Sequence, residues 1–103
     1  MMGLPYARST SEDAVRAVDP EVTGSELLPY AVHRSANIRA AVAARTDCPI
    51  GALISLGHDH DLSVLEAILR NVRTPSSVVR ALADHRNQAI AGLAAQRLRN
   101  SFR

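Results

Sequence analysis

The strongest constraint in this sequence is that it repeats itself. Ile38-Arg39-Ala40-Ala41-Val42 aligns with Val64-Leu65-Glu66-Ala67-Ile68, and again with Ile90-Ala91-Gly92-Leu93-Ala94, each step being 26 residues. Within each copy the apolar positions fall at i, i+3 and i+4: Ile38, Ala41 and Val42, then Val64, Ala67 and Ile68, then Ile90, Leu93 and Ala94. That spacing is the inward stripe of an amphipathic helix. Three residues ahead of each stripe stand Ser35, Asp61 and Asn87, side chains whose oxygens accept from the free amides of a first turn. The pattern predicts a recurring helix, here called A, ending near Arg45, Asn71 and Arg97.

Between A helices lie the turns Thr46-Asp47-Cys48-Pro49 and Val72-Arg73-Thr74-Pro75. Pro49 and Pro75 share a register and are placed to open a second helix, B, at its first position. Thr74 is the expected N-cap of the second of these. Helix B carries Leu53 and Leu56, matched by Val79 and Leu82 and, earlier, by Leu27 and Tyr30. Gly57, Ala83 and Ala31 share a register where a small residue lets helices approach. Leu28 and Ile54 match Arg80, which puts that position at the edge of the core.

Upstream, residues 1–9 carry Gly3, Pro5 and Ser9 without periodicity and read as a flexible arm, leaving residues 10–103 as one helical-repeat domain. Thr10-x-x-Asp13 has the form of a capping box. The helix it opens is expected to run to Val18 with Val15 and Val18 inward, and Asp19-Pro20 stops it. Thr23-x-x-Glu26 is a second capping box, after which Pro29 either kinks the helix or sits at its tolerated start. The prediction is an all-α chain of about seven short helices in antiparallel pairs, closed by an A helix from Asn87 to Arg99. No stretch alternates as a strand does.

The composition narrows the function. A chain of 103 residues is one domain, hiding roughly 65% of its unfolded surface. Its apolar content is aliphatic, with only Tyr6, Tyr30 and Phe102 as aromatics and no Trp. Such a surface is poorly suited to base stacking. All twelve basic residues are Arg. Residues 1–33 set Arg8 and Arg16 against Glu12, Asp13, Asp19, Glu21 and Glu26, a net of −3, whereas residues 34–103 net +5. This asymmetry favours an acidic partner or head-to-tail association. One cysteine, Cys48, excludes an internal disulfide and a Cys-rich metal site. No apolar run approaches the ~20 residues of a membrane span, and no signal peptide is visible. A cytoplasmic protein is the expectation.

Helix–turn–helix units stacked in one direction form a solenoid. The stretches "RTDCPIGALISLGHDHD" and "RNVRTPSSVVRALADHRN", with "SANIRAAVAAR", resemble the leucine-rich repeat variant family. The closest matches are Ile38–Ala43, reading IRAAVA, and Thr74-Pro75. The resemblance covers roughly residues 20–99. It implies a right-handed superhelix of alternating α-helices and short, sometimes 3₁₀, helices. The unit here is slightly longer than that family's usual one, and an iron–sulfur segment associated with one member has no counterpart. HEAT-like solenoids are the second resemblance, with longer units.

Four places hold candidate chemistry. His58-Asp59-His60-Asp61 is the densest group of potential metal ligands, although Asp61 has a capping role and His33 and His85 fall in register with Asp59. Arg45, Arg70, Arg73, Arg97 and Arg99 gather at the ends of A helices. There they complement the helix dipole, or form a basic ridge for an acidic protein segment or phosphates. Cys48 precedes a helix, which lowers a thiol's pKa, or is a small residue packed in a turn. Leu93, Leu98 and Phe102 on the last A helix lack a following B helix, which points to self-association through an end. No catalytic constellation, cofactor motif or phosphate loop is present. The expected function is a non-catalytic protein-interaction module, with nucleic-acid association through an Arg-rich edge as the alternative.

Overall fold

The computed structural model describes residues 9–101. Within them the chain is all-helical: α1 (Thr10–Val18), α2 (Leu28–Ala31), α3 (Ala36–Ala43), α4 (Ile50–Leu56), α5 (Leu62–Arg70), α6 (Ser76–Leu82) and α7 (Gln88–Asn100). A short 3₁₀ helix, Gly24–Leu27, leads directly into α2. The described residues contain no strand.

Local chemistry sets most of the helix starts. Asp61 accepts from the Ser63 amide, and Asn87 accepts from the amides of Ala89 and Ile90, so two of the three expected A-helix caps close as expected. Ser35 stands at the same position but makes no side-chain capping bond. The first capping box is displaced by one residue. Ser9 accepts from the Glu12 amide and the Glu12 carboxylate accepts from the Ser9 amide, which releases Asp13 for a contact elsewhere. In the second box the Glu26 carboxylate accepts from the Thr23 amide. Pro29 occupies the first turn of α2, where its missing amide costs nothing. Pro49 and Pro75 serve as N-cap residues, one position earlier than expected. Thr74 is therefore no cap; its hydroxyl donates to the Ile68 carbonyl at 2.7 Å in the interior.

Each odd-numbered helix packs on the next: α1 on α3, α3 on α5 and α5 on α7. The shorter α2 and α4 lie against α3, α4 also meets α5, and α6 packs on α7. The predicted stripes point inward. Ile38, Val42, Val64, Ile68, Ile90 and Ala94 are buried, as are Leu27, Tyr30, Leu53, Leu56, Val79 and Leu82 from the B helices. Val15 and Val18 are the exception, at 66% and 62% exposed. On α1 the buried residue is Ala17, and the inward side is set by polar contacts: Asp13 meets His33, and Arg16 donates to the Tyr30 hydroxyl. The arm assigned to residues 1–9 lies outside the described residues except for Ser9, which caps α1.

Gly57 ends α4 where it meets α6. A Cβ at that position would stand 2.6 Å from Cγ1 of Val78, a branched side chain with little freedom to retreat. Gly57→Ala is expected to destabilise the fold by about 1–3 kcal/mol through overpacking, despite alanine's better helix propensity. Adding Val78→Ala should return part of the loss. Thermal denaturation of the single and double variants checks this; a Tm for Gly57→Ala at or above wild type would show that the close approach carries no constraint.

Candidate functional site

The A helices end in carbonyls without intrahelical donors, and the chain supplies those donors from one unit further on. The Arg45 guanidinium donates to the carbonyls of Ala17, Asp19 and Val22 at 2.8–2.9 Å. Asn71, buried, donates to the carbonyls of Ala43 and Arg45 at 2.7 and 2.8 Å. Arg97 donates to the carbonyls of Leu69, Asn71, Val72 and Thr74. Arg45, Asn71 and Arg97 are spaced 26 residues apart, and all three reach back 26 and 28 residues. Asp19 stands in the same register ahead of Arg45.

These contacts decide where the five arginines of the expected ridge stand. Arg45 is held further by a bidentate pair with Asp47, which raises its own pKa and holds the Asp47 carboxyl below the usual range. Burial pulls the Arg97 pKa down, and the carbonyls around it are its only partners among the described residues. Arg73 donates to the carbonyls of Thr46 and Cys48. Arg70 is exposed, with a 3.5 Å contact to Glu66 one turn earlier, and Arg99 is exposed with no hydrogen bond or ion pair among the described residues. Three of the five thus spend donors on backbone carbonyls, and two project outward.

A second row of contacts joins the first two A helices to the turn preceding the next. His33, Asp59 and His85 share a register, and each accepts the backbone amide two residues on, from Ser35, Asp61 and Asn87, at 2.9 Å. In the first unit Nε2 of His33 meets the Asp13 carboxylate at 2.9 Å. In the second the carboxylate stands on the turn instead: Arg39 grips Asp59 through Nε and Nη2 at 2.7 and 3.1 Å. In the third, the A-helix position is Leu65, buried, and Nε2 of His85 has no protein partner among the described residues. Desolvation alone would raise the Asp59 pKa, but the Arg39 bond and the Asp61 amide outweigh it and hold the carboxyl below its usual value.

His85, its Nε2 unpartnered among the described residues, stands at the wall of an open cleft. A cleft of about 1120 Å³ runs between the turn joining α4 to α5 and the face of α6. Ile54, Leu62 and Val78 supply apolar lining, and His58, His60, His85 and Arg86 supply nitrogen donors. The Asp59 carboxylate, also at the wall, is already taken by Arg39 and the Asp61 amide. His58 and His60 are both exposed, and no group of three or more His, Cys, Asp or Glu side chains suited to a metal ion occurs among the described residues. No hydroxyl or thiol among them hydrogen-bonds to a histidine ring. Cys48 is fully buried, its thiol 3.6 Å from the Pro49 carbonyl, and burial pushes its pKa to about 11, which removes the reactive thiolate. At the end of α7, Leu93 and Leu98 are partly buried against the core, and Phe102 lies outside the described residues. No helix among the described residues is long and apolar enough to cross a membrane.

No family model, curated protein or solved structure matches this chain.

Two measurements follow from this geometry. Arg97→Ala should cost about 2–4 kcal/mol, since several carbonyls, three of them in part-buried bonds, lose a charged donor together. Arg99→Ala should leave the denaturation midpoint unchanged; equal effects of the two would remove the distinction drawn between them. The Asp59 carboxyl is depressed, so its pairing with Arg39 stabilises above the ordinary aspartate range and is lost as pH falls through the lower folded value. The drop in Tm on acidification below about pH 4 should therefore be shallower in Asp59→Asn than in wild type.

Proposed function

We propose that this protein is a non-catalytic interaction module, a short right-handed α-solenoid of 26-residue units that binds another protein. The observation that carries the reading is the open cleft beside α6, which joins apolar lining to a basic rim and has no hydroxyl or thiol bonded to a histidine in it. Support for the array comes from the hydrogen bonds of Arg45, Asn71 and Arg97, which recur at the same offsets, and from principal extents of 57 × 26 × 17 Å. The likeness to leucine-rich repeat variant proteins rests on Ile38–Ala43 and Thr74-Pro75. A single buried thiol suits a reducing compartment such as the cytoplasm.

Association with nucleic acid is the second reading, and exposed Arg70 and Arg99 favour it. Arg45, Arg73 and Arg97, however, already donate to carbonyls, and Tyr30, the aromatic residue among those described, is buried. Selection of displayed random peptides on the immobilised protein separates the two. Convergence on a sequence family supports the module. Absence of convergence, together with retention on DNA or RNA that falls linearly with the logarithm of salt concentration, would replace it with the second reading.

A further inference from the structure

Resting on the interaction-module reading, we propose that the cleft beside α6 binds an acidic peptide segment whose carboxylate pairs with Nε2 of His85, as the Asp13 carboxylate pairs with Nε2 of His33. The tautomer of each histidine fixes where its donor points. Nδ1 of His33 accepts the Ser35 amide at 2.9 Å, so the ring proton sits on Nε2, which donates to the Asp13 carboxylate at 2.9 Å. Nδ1 of His85 accepts the Asn87 amide at the same 2.9 Å, so its proton also sits on Nε2. The register position that supplies the carboxylate to His33 and the guanidinium to Asp59 is, in this third unit, Leu65, an apolar side chain at 1% exposure. The turn therefore presents a histidine oriented as in the first unit, with an unmet donor.

The rest of the cleft matches the same ligand. Arg86 is exposed beside His85 and has no hydrogen bond or ion pair among the described residues, which leaves its planar fork open to a second carboxylate. His58 and His60 stand on the opposite lip as further nitrogen donors. The acidic wall residue, Asp59, is neutralised by Arg39. Ile54 and Leu62, at 43% and 46% exposed, offer aliphatic surface to an aliphatic side chain of the ligand. An extended segment alternating Asp or Glu with Leu, Ile or Val meets both kinds of surface. A nucleic acid would bring phosphates to Arg86 but has nothing to set on the aliphatic lining, and the cleft contains no Phe, Tyr or Trp ring to stack a base.

The test uses the full isotope-labelled chain, titrated in NMR with an end-blocked peptide alternating Asp and Glu with Leu. Its Asn/Gln counterpart and a single-stranded oligodeoxynucleotide serve as comparison probes. The acidic peptide is expected to shift the amides of residues 57–62 and 77–87 with a submillimolar Kd, and the Asn/Gln peptide to bind at least tenfold more weakly. His85→Asp should weaken binding tenfold or more. Asp59 shows that an aspartate in this register still captures the amide two residues on, so the turn is retained. His85→Asn repeats the test without an added charge. Arg86→Gln should weaken binding severalfold, and Arg99→Gln should change nothing. Equal binding of the Asn/Gln peptide, insensitivity to both His85 variants, or no shifts at millimolar peptide would overturn the proposal. So would an oligonucleotide that shifts the same amides more strongly than the peptide. If displayed peptides converge while the acidic probe leaves the cleft silent, the cleft proposal fails and the module reading stands; if neither responds, both fail.

Discussion

The ends of the A helices are the problem that this fold has to solve. A helix of two or three turns leaves as many carbonyls without donors as one of ten turns, so short helices carry proportionally more unmet acceptors. Gly- or Asn-based left-handed caps are the common remedy, and the α1, α3 and α5 termini do not use them: among the described residues the one positive φ belongs to Gly24. Donors arrive instead from the next unit, through Arg45, Asn71 and Arg97. The bond that completes one helix thereby docks its successor, and local and tertiary structure become a single requirement. That coupling suits a chain whose core is built of small aliphatic side chains.

Position in the register, more than residue type, decides what each polar side chain does. Arg39 and Arg45 are both arginines of the second unit, yet one holds a turn by its carboxylate and the other closes a helix end. Asp13 and Arg39 occupy one register with opposite charges, and their partners His33 and Asp59 are exchanged to match. The exchange preserves a contact while changing its chemistry. It also keeps neighbouring units electrostatically distinct, because an Asp–His latch and an Arg–Asp latch do not interchange without placing like charges together.

Much of the helical pattern was legible in the sequence because it is local. The stripe Ile38, Ala41, Val42 and its mates, the caps at Asp61 and Asn87, and the pairs Leu53/Leu56 and Val79/Leu82 all act within one or two turns of themselves. What escaped was set by distant partners. Val15 and Val18 have inward spacing, but α1 has a neighbouring A helix on one side only, and Asp13 and Arg16 choose that side. Thr74 has the right chemistry for a cap and uses it on Ile68 instead. The basic side chains at helix ends were visible as a cluster; that Arg45 and Arg97 serve the preceding helix depends on contacts across 23–28 residues. A signal did exist, since Arg45, Asn71 and Arg97 share a register and all are strong multiple donors. The cleft beside α6 was the least legible feature, because its lining comes from α4, the turn before α5, α6 and the turn before α7, which only tertiary packing brings together.

Asp19 occupies the register of Arg45, Asn71 and Arg97, and a carboxylate can accept hydrogen bonds but, when ionised, cannot give them. A second copy laid end to end, with its α1 following α7 as α3 follows α1, would bring that carboxylate against the carbonyls of the helix it was meant to complete. Like would face like: acceptor against acceptor, negative charge against the negative pole of a helix. Heterologous stacking of identical ends is how open filaments grow. Asp19 thus cannot supply the donor that Arg45, Asn71 and Arg97 supply, and its Oδ1 instead accepts the Glu21 amide at 2.8 Å.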